Sequence, residues 1–382
     1  MSVFSRLYVG NGAFDIVGKR KRWYVISALV LLTCVLSIGF KQFNLGIDFK
    51  GGTKVQMASV STSGAKIEEH AVADVFKNAL GQEPAAVQTV GIGDSASIQI
   101  RSTTLDAAQV LKLKTELASK LNPKGGQGAI SDSAVSASWG GEITSKALWA
   151  LGLFFVAIVI FLALYFELHM AIAALVAVLH DVIITAGVYS LVGFEVTPAT
   201  VIGLLTILGF SLYDTVVVFD KVRENTRGLL GLTRRTYAEA ANLALNQTLM
   251  RSINTSLIAL LPVMGLLIVG VVILGVGTLQ DLALVQLTGM FVGALSSLFI
   301  ATPILVDLKN RDPKYKAQAK RVEARRAKST AAASTEVEST DDEALDEELR
   351  REKALAAAAS VPSRTAKSTD NRRGRPSGKK QR

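Results

Sequence analysis

The chain of 382 residues contains a single cysteine, Cys34, which excludes an intrachain disulfide framework. It also lacks a nucleotide-binding phosphate loop. Gly51-Gly52 in GIDFKGGT comes nearest, but no Gly-Lys-Ser/Thr follows, so the pair reads as a glycine turn where the chain leaves an apolar run. ATP is thereby excluded as an energy source within this chain. His70 stands beside Glu68 and Glu69 on a predicted helix, too few ligands for a metal and a pattern typical of a solvated face. No nucleophile–base pair or metal constellation occurs elsewhere. An enzyme is the class the sequence favours least, and no cofactor is expected.

Apolar residues are what the chain has in excess. They make up 49% of it, with a mean hydropathy of +0.35, too high for an ordinary soluble protein. They cluster in six runs near residues 23–40, 147–166, 171–192, 198–219, 256–277 and 282–306. Each is long enough to cross a hydrocarbon core of about 30 Å. With no water to satisfy the backbone there, all six are predicted to be helices. Lys19-Arg20-Lys21-Arg22 precedes the first run, which is long for a signal peptide and is followed by no small-residue cleavage pattern, so a retained first helix is expected.

Charge sets the expected orientation. Lys and Arg gather in residues 1–22, in 220–255 and in the tail after Val306, while the short turns at 193–197 and 278–281 carry none. With six spans all three basic segments fall on one side, which the positive-inside rule makes cytoplasmic. The expected organisation is a cytoplasmic segment 1–22, a first span 23–41 and an extracytoplasmic domain 42–145. Spans two to six follow in 146–306, with a cytoplasmic loop at 220–255, and then a disordered, charged cytoplasmic tail at 307–382.

Within 42–145 the pattern predicts strand, helix, two strands, helix, strand. The strands fall at 54–57, 86–91, 97–101 and, weakly, 129–137, with Gly93-Asp94 as the turn between the middle two. Helices fall at 65–80 and 105–121, where apolar residues recur at steps of three and four. The βαββαβ order suggests a small ferredoxin-like α+β domain.

Asp214 is the most informative residue. It interrupts the apolar run ILGFSLYDTVVVFD, where a carboxylate costs about 2.5 kcal/mol or more at a helix centre. It shares a helix face with Phe210, Ile207 and Gly203. Asp181, after His180, falls near the middle of the third run, and Arg251 stands at the mouth of the fifth. Each allows two readings. Asp214 either binds a proton or anchors an ion pair with Arg251. Asp181 either titrates or is a cap or hydrogen-bonding group near the cytoplasmic mouth. Arg251 either joins them or reaches toward lipid headgroups. His180 is expected to be satisfied by backbone or water. Pro262 is expected to kink the fifth helix.

Four stretches carry a resemblance. GFSLYDTVVVFDKVREN (209–225) resembles the fourth-helix signature of the SecF family of protein-export membrane subunits, in the resistance-nodulation-division superfamily. NQTLMRSINTSL (246–257) resembles the family's fifth helix, LHDVIITAG (179–187) its third, and FNLGIDFKGGT (43–53) the motif after its first. The similarity extends in order over about 20–307. It implies a SecD partner with a similar six-helix half, the SecYEG channel and a translocating preprotein. It also implies a step, driven by the proton motive force, that promotes preprotein translocation across the bacterial cytoplasmic membrane. It implies a proton path through Asp214 and Arg251; Asp181 is added to that path from its depth alone. Tyr213 departs from the pattern, since many relatives carry asparagine there; its phenol is expected to supply a hydrogen bond in place of the amide. The alternatives are a half-transporter of the same superfamily exporting a small molecule or lipid, and a purely structural channel-stabilising subunit. The chain also shows no internal duplication of its six spans, so an equivalent half is expected from another chain.

The tail turns polar at about residue 309. Its composition reads as disorder, although 314–328 is basic and compatible with a helix. A solvated tail or contact with anionic lipids are its two expected roles. No specific nucleic-acid partner is predicted.

Overall fold

The computed structural model describes residues 14–91, 96–273 and 277–333. Six helices are long and apolar enough to cross a membrane. They are α1 (Arg20–Lys41), α5 (Ala137–Tyr165), α6 (Leu168–Val192), α7 (Pro198–Asn225), α8 (Tyr237–Gly265) and α9 (Gly277–Ser296). The last passes through a π-helical turn, Ser297–Ala301, into α10 (Thr302–Arg311), and α11 (Pro313–Ala333) follows. The helix α8 contains Pro262 and likewise runs on into a π-helical stretch, Leu266–Ile273.

Between α1 and α5 lie β1 (Asn44–Leu45), the short α2 (Ile47–Lys50), β2 (Gly52–Ala58), α3 (Glu69–Leu80), β3 (Ala86–Val90), β4 (Ser97–Ser102), α4 (Ala107–Leu121) and β5 (Ser131–Val135). The expected order of four strands and two helices is therefore present, in an antiparallel sheet ordered β3-β4-β2-β5. Val55 of β2 stands opposite Ile100 of β4 and Asp132 of β5. The predicted turn at Gly93-Asp94 lies outside the described residues. His70 of α3 is exposed and contacts Asp74, as a solvated face implies.

One face of the sheet is apolar. Val55, Met57, Ile98 and Ile100 bury against Val72 and Phe76 of α3 and Leu113 and Leu117 of α4. In β4 the alternation Ser-Ile-Gln-Ile-Arg-Ser would ordinarily leave the polar face in water. Here Ser97, Gln99 and Arg101 are buried as well. The reason is β6 (Glu195–Val196), in the connection between α6 and α7. It pairs in parallel with β1, and Glu195 meets Arg101 at 3.2 Å with both side chains about nine-tenths buried. The second face of the sheet thus rests on the end of the helical bundle. The Gly51-Gly52 turn packs against the start of α5. Gly51 has φ +77°, and a Cβ there would lie 2.7 Å from the Ala137 Cα at the start of α5.

Three expectations need correction. The fifth helix does not begin after a loop ending near residue 255. It starts at Tyr237, where Thr236 and Glu239 form a capping box, and α7 continues to Asn225, so most of 220–255 is helix. The second helix likewise starts at Ala137, capped by Ser136, inside the segment expected to be domain. The tail is not disordered at its beginning. Helix α11 docks on the α7–α8 connection through polar contacts that a hydropathy scan does not register. Gln318 donates to the carbonyls of Leu232 and Arg235, Arg321 donates to the Leu230 carbonyl, and Arg326 pairs with Glu239 at 2.7 Å.

Small residues set the helix spacing in the bundle. Along the α7–α9 contact a Cβ on Gly203 would fall 2.3 Å from Val285, on Gly289 2.6 Å from the Ile207 Cγ2, and on Gly293 2.9 Å from the Ser211 Cβ. These glycines let the two backbones approach closely. Gly289→Val is expected to destabilise the purified protein by about 1–3 kcal/mol through overpacking, read as a lower unfolding temperature in detergent. Arg101→Ala is expected to cost about 3–5 kcal/mol in sheet docking, because it leaves Glu195 buried without its cation. Faster hydrogen exchange in β4 and β1, with the exchange of α7 unchanged, is the measurement.

Candidate functional site: two buried aspartates

Asp181 of α6 and Asp214 of α7 lie in mid-helix and are almost fully buried, at 1% and 2% exposure. Each carboxylate is met by hydroxyls from neighbouring helices. Ser211 of α7 donates to the Asp181 Oδ2 at 2.5 Å, and Ser296 of α9 donates to the same oxygen at 2.7 Å. Ser297 donates to the Asp214 Oδ2. The Asp181 Oδ1 faces His180 Nδ1 at 3.0 Å, and His180 Nε2 lies 2.8 Å from the Ser27 Oγ of α1. His180 therefore has side-chain partners on two helices, where backbone was one of the expected partners.

The adjacent pair Ser296 and Ser297 links the two aspartates. Successive residues on a helix point about 100° apart, so neighbours in sequence can address different helices. Ser296 serves α6 and Ser297 serves α7, at the place where α9 widens into its π turn. Ser211 sits one turn before Asp214 on the same helix, so Asp181 also touches the Asp214 face of α7. The glycine seam is what makes this reach achievable, since Gly293 packs directly against Ser211.

Each serine on α9 has a second acceptor. The Ser296 Oγ lies 3.2 Å from the Gly293 carbonyl and the Ser297 Oγ 3.1 Å from the Ala294 carbonyl. A hydroxyl has one proton to donate. It can serve the carboxylate while that group is charged, and turn to its own helix when the carboxyl is protonated and becomes a donor.

Arg251 does not stand at a helix mouth. It lies in the middle of α8, exposed at the bundle surface, one residue before the buried Ser252. Among the described residues no salt bridge within 4.0 Å joins it to Asp214, so the close ion-pair anchor is not the arrangement found. Asp181 is no cap; it is a buried hydrogen-bonding group in contact with Ser211, Ser296 and His180. Tyr213 is half exposed on α7, so its phenol does not take part in the buried set.

Sequence reasoning singled out Asp181, Asp214 and His180, and the structure brings the first and last together with the serines around Asp214. It passed over Ser27, Ser211, Ser296 and Ser297. The Ser-Ser pair inside the apolar run GALSSLFIA was the available signal.

Residues 116–311, a stretch containing both aspartates and Arg251, match the family described as protein export membrane protein SecD/SecF, C-terminal. Residues 36–61 match the SecD/SecF GG motif, which places the Gly51-Gly52 turn in that family's pattern. The chain is 55% identical over 326 residues to the protein translocase subunit SecF of Mycobacterium tuberculosis (strain H37Rv), covering 84% of this chain and 73% of that protein. This chain belongs to the SecF family. It is 46% identical over 323 residues to the SecF of Streptomyces coelicolor, covering 83% of each. Its fold is similar to the crystal structure of SecDF, a translocon-associated membrane protein from Thermus thermophilus. The TM-score is 0.66 at 31% identity, over 78% of this chain and 39% of that one. As a SecF-family protein with six apolar helices, it is a multi-pass membrane protein and an accessory subunit of the Sec protein translocase.

The Ser297–Asp214 contact can be measured directly. Ser297→Ala leaves the carboxylate short of a donor and is expected to lower stability by about 1–3 kcal/mol. In a double-mutant cycle with Asp214→Ala, unfolding of the purified protein should show a coupling of about 0.5–3 kcal/mol, whereas strict additivity would mean the contact carries no energy.

Proposed function

We propose that this subunit, together with a SecD-type partner, uses the proton motive force to promote preprotein translocation through the SecYEG channel. The basic end of the bundle faces the cytoplasm, with both termini on that side of the bacterial cytoplasmic membrane, as the distribution of Lys and Arg implies. The sheet domain, whose strand order and two helices fit a ferredoxin-like fold, faces outward and holds the emerging chain. Asp214 and Asp181 bind protons in transit, and Arg251 is the cation of the path. The basic surface of the tail contacts anionic lipids.

One observation carries the reading. Two carboxylates are buried in mid-membrane, held by serine hydroxyls of which the two on α9 have an alternative acceptor, and among the described residues no Lys or Arg lies within 4.0 Å of either. A carboxylate in hydrocarbon is costly unless it is satisfied or protonated. Protonation turns each acceptor into a donor, so the serines must reorient and the contacts of α9 with α6 and α7 change. One charge crossing 100 mV is worth about 2.3 kcal/mol, enough to bias such a change.

Two facts support the partner. The chain covers 39% of the SecDF chain it resembles, which leaves room there for a second half. The helices around Asp214 also turn large apolar side chains outward, among them Ile202, Leu257, Ile258 and Phe291. A second helical half would cover such a surface.

The test is preprotein translocation in inverted membrane vesicles carrying this chain, its SecD partner and the channel, at constant ATP, with and without a proton gradient. Asp214→Asn that assembles normally is expected to lose the gradient-stimulated part of the rate. Full stimulation in that variant would overturn the coupling role and return the site to a structural one.

A further inference from the structure

The aspartate pair does not end at Asp181. From His180 a trail of polar groups runs toward the basic end of the bundle. Ser27 of α1 meets His180 Nε2. Tyr24, one turn earlier on α1, donates to the Asp307 Oδ2 of α10 at 2.9 Å. Arg20, a further turn back, holds the Asp307 Oδ1 at 2.8 Å. Exposure rises along the trail. Asp181 is sealed, His180 is 9% exposed, Ser27 and Tyr24 are partly buried, and the Asp307 side chain is 34% exposed.

A buried neutral imidazole needs a partner for its donor nitrogen and one for its acceptor nitrogen, and what matters is which groups those partners are. His180 has both ring nitrogens engaged, one by a buried carboxylate and one by a hydroxyl on a different helix that leads outward. That is the geometry a shuttle requires, because the two nitrogens of the ring are distinct and connect the two sides. The charged groups on the elements packed around it are Asp181 on α6, Asp214 on α7, Arg20 on α1 and Asp307 on α10. The Glu167–Lys309 pair stands at the same end.

We propose that His180 relays protons between the buried aspartates and the basic face of the bundle, with Ser27, Tyr24 and Asp307 as the remainder of the branch. This rests on the proton-coupled reading above and adds its exit. A proton moves from the Asp181 Oδ1 to His180 Nδ1, and the proton on Nε2 leaves to the Ser27 Oγ, which passes its own onward. Only O–H and N–H bonds form and break. The ring is left as the opposite tautomer, and water restores the first by taking the proton from Nδ1 and giving one to Nε2. Between Ser27 and Tyr24 the step is one helical turn, about 4.5 Å of rise, and water is the carrier across it: it takes the Ser27 proton and gives one to the Tyr24 hydroxyl as that hydroxyl gives its own to Asp307. Arg20 fixes the Asp307 carboxylate at the mouth as the group that exchanges with bulk water.

The experiment uses the same inverted vesicles, in which the basic face meets the medium, so medium pH titrates this branch directly. The gradient-stimulated rate is measured from about pH 6 to 8, the range in which an ordinary histidine changes charge. His180→Gln keeps a donor and an acceptor but takes up no proton. It is expected to reduce the stimulated rate by about tenfold or more and to flatten its pH profile. Asp307→Asn carries the same expectation from the far end and decides the matter if His180→Gln does not assemble. If Asp214→Asn abolishes stimulation while both relay variants keep the wild-type rate and profile, the relay is wrong and the aspartate reading stands. If Asp214→Asn retains stimulation, the coupled reading falls and the relay falls with it.

Discussion

A carboxylate inside a membrane must be given its hydrogen-bond donors by the protein, because lipid offers none. Most of the packing of this bundle follows from that constraint. Serine is short, so it reaches a carboxylate on another helix only if the backbones nearly touch. Gly203, Gly289 and Gly293 create that proximity between α7 and α9. The consecutive serines at the π turn then divide their hydroxyls between two helices. The glycines, the serines and the aspartates form one unit, in which a change to any member alters what the others can reach.

The same unit is tied to the sheet domain. The helix α7 starts directly after β6, and β6 is paired with β1 and pinned by the buried Glu195–Arg101 contact. Both ends of the connection are therefore fixed, one at Asp214 and one beneath the sheet. On the proposed reading this gives proton binding a mechanical route outward. A shift of α7 that follows protonation moves the seat on which the sheet rests, without any flexible linker to absorb it.

The parts legible in the sequence share a physical origin. Six spans were legible because hydrocarbon demands long apolar helices, and the strands and helices of 42–145 because their periods of two and about 3.6 are local. Asp214 stood out because its cost does not depend on its neighbours. What escaped notice depends on distant partners. Ser211, Ser296 and Ser297 are unremarkable residues in a membrane helix until a carboxylate is found opposite them. The burial of Arg101 on a face that reads as solvent-exposed depends on Glu195, far along the chain. The order of α11 depends on backbone carbonyls at Leu230, Leu232 and Arg235, which no side-chain pattern records.

On the proposed reading, the choice of donors bears on why the site would suit a proton. Had Arg251 formed a close buried pair with Asp214, neutralising the carboxyl would have stranded a cation, at a cost of about 3–5 kcal/mol for a broken buried pair. A hydroxyl carries no such penalty. It donates to the charged carboxylate, and when a proton arrives it turns to the Gly293 or Ala294 carbonyl within its reach. The two protonation states are thus each satisfied by a different set of hydrogen bonds, and their energies lie closer together than an ion pair would allow. Arg251, outside that close set, can influence the balance through its field without fixing it. A proton site of the proposed kind, which must release what it binds on every cycle, is served by this near-balance, whereas an anchor would be served by a close Arg251–Asp214 ion pair, which is not found among the described residues.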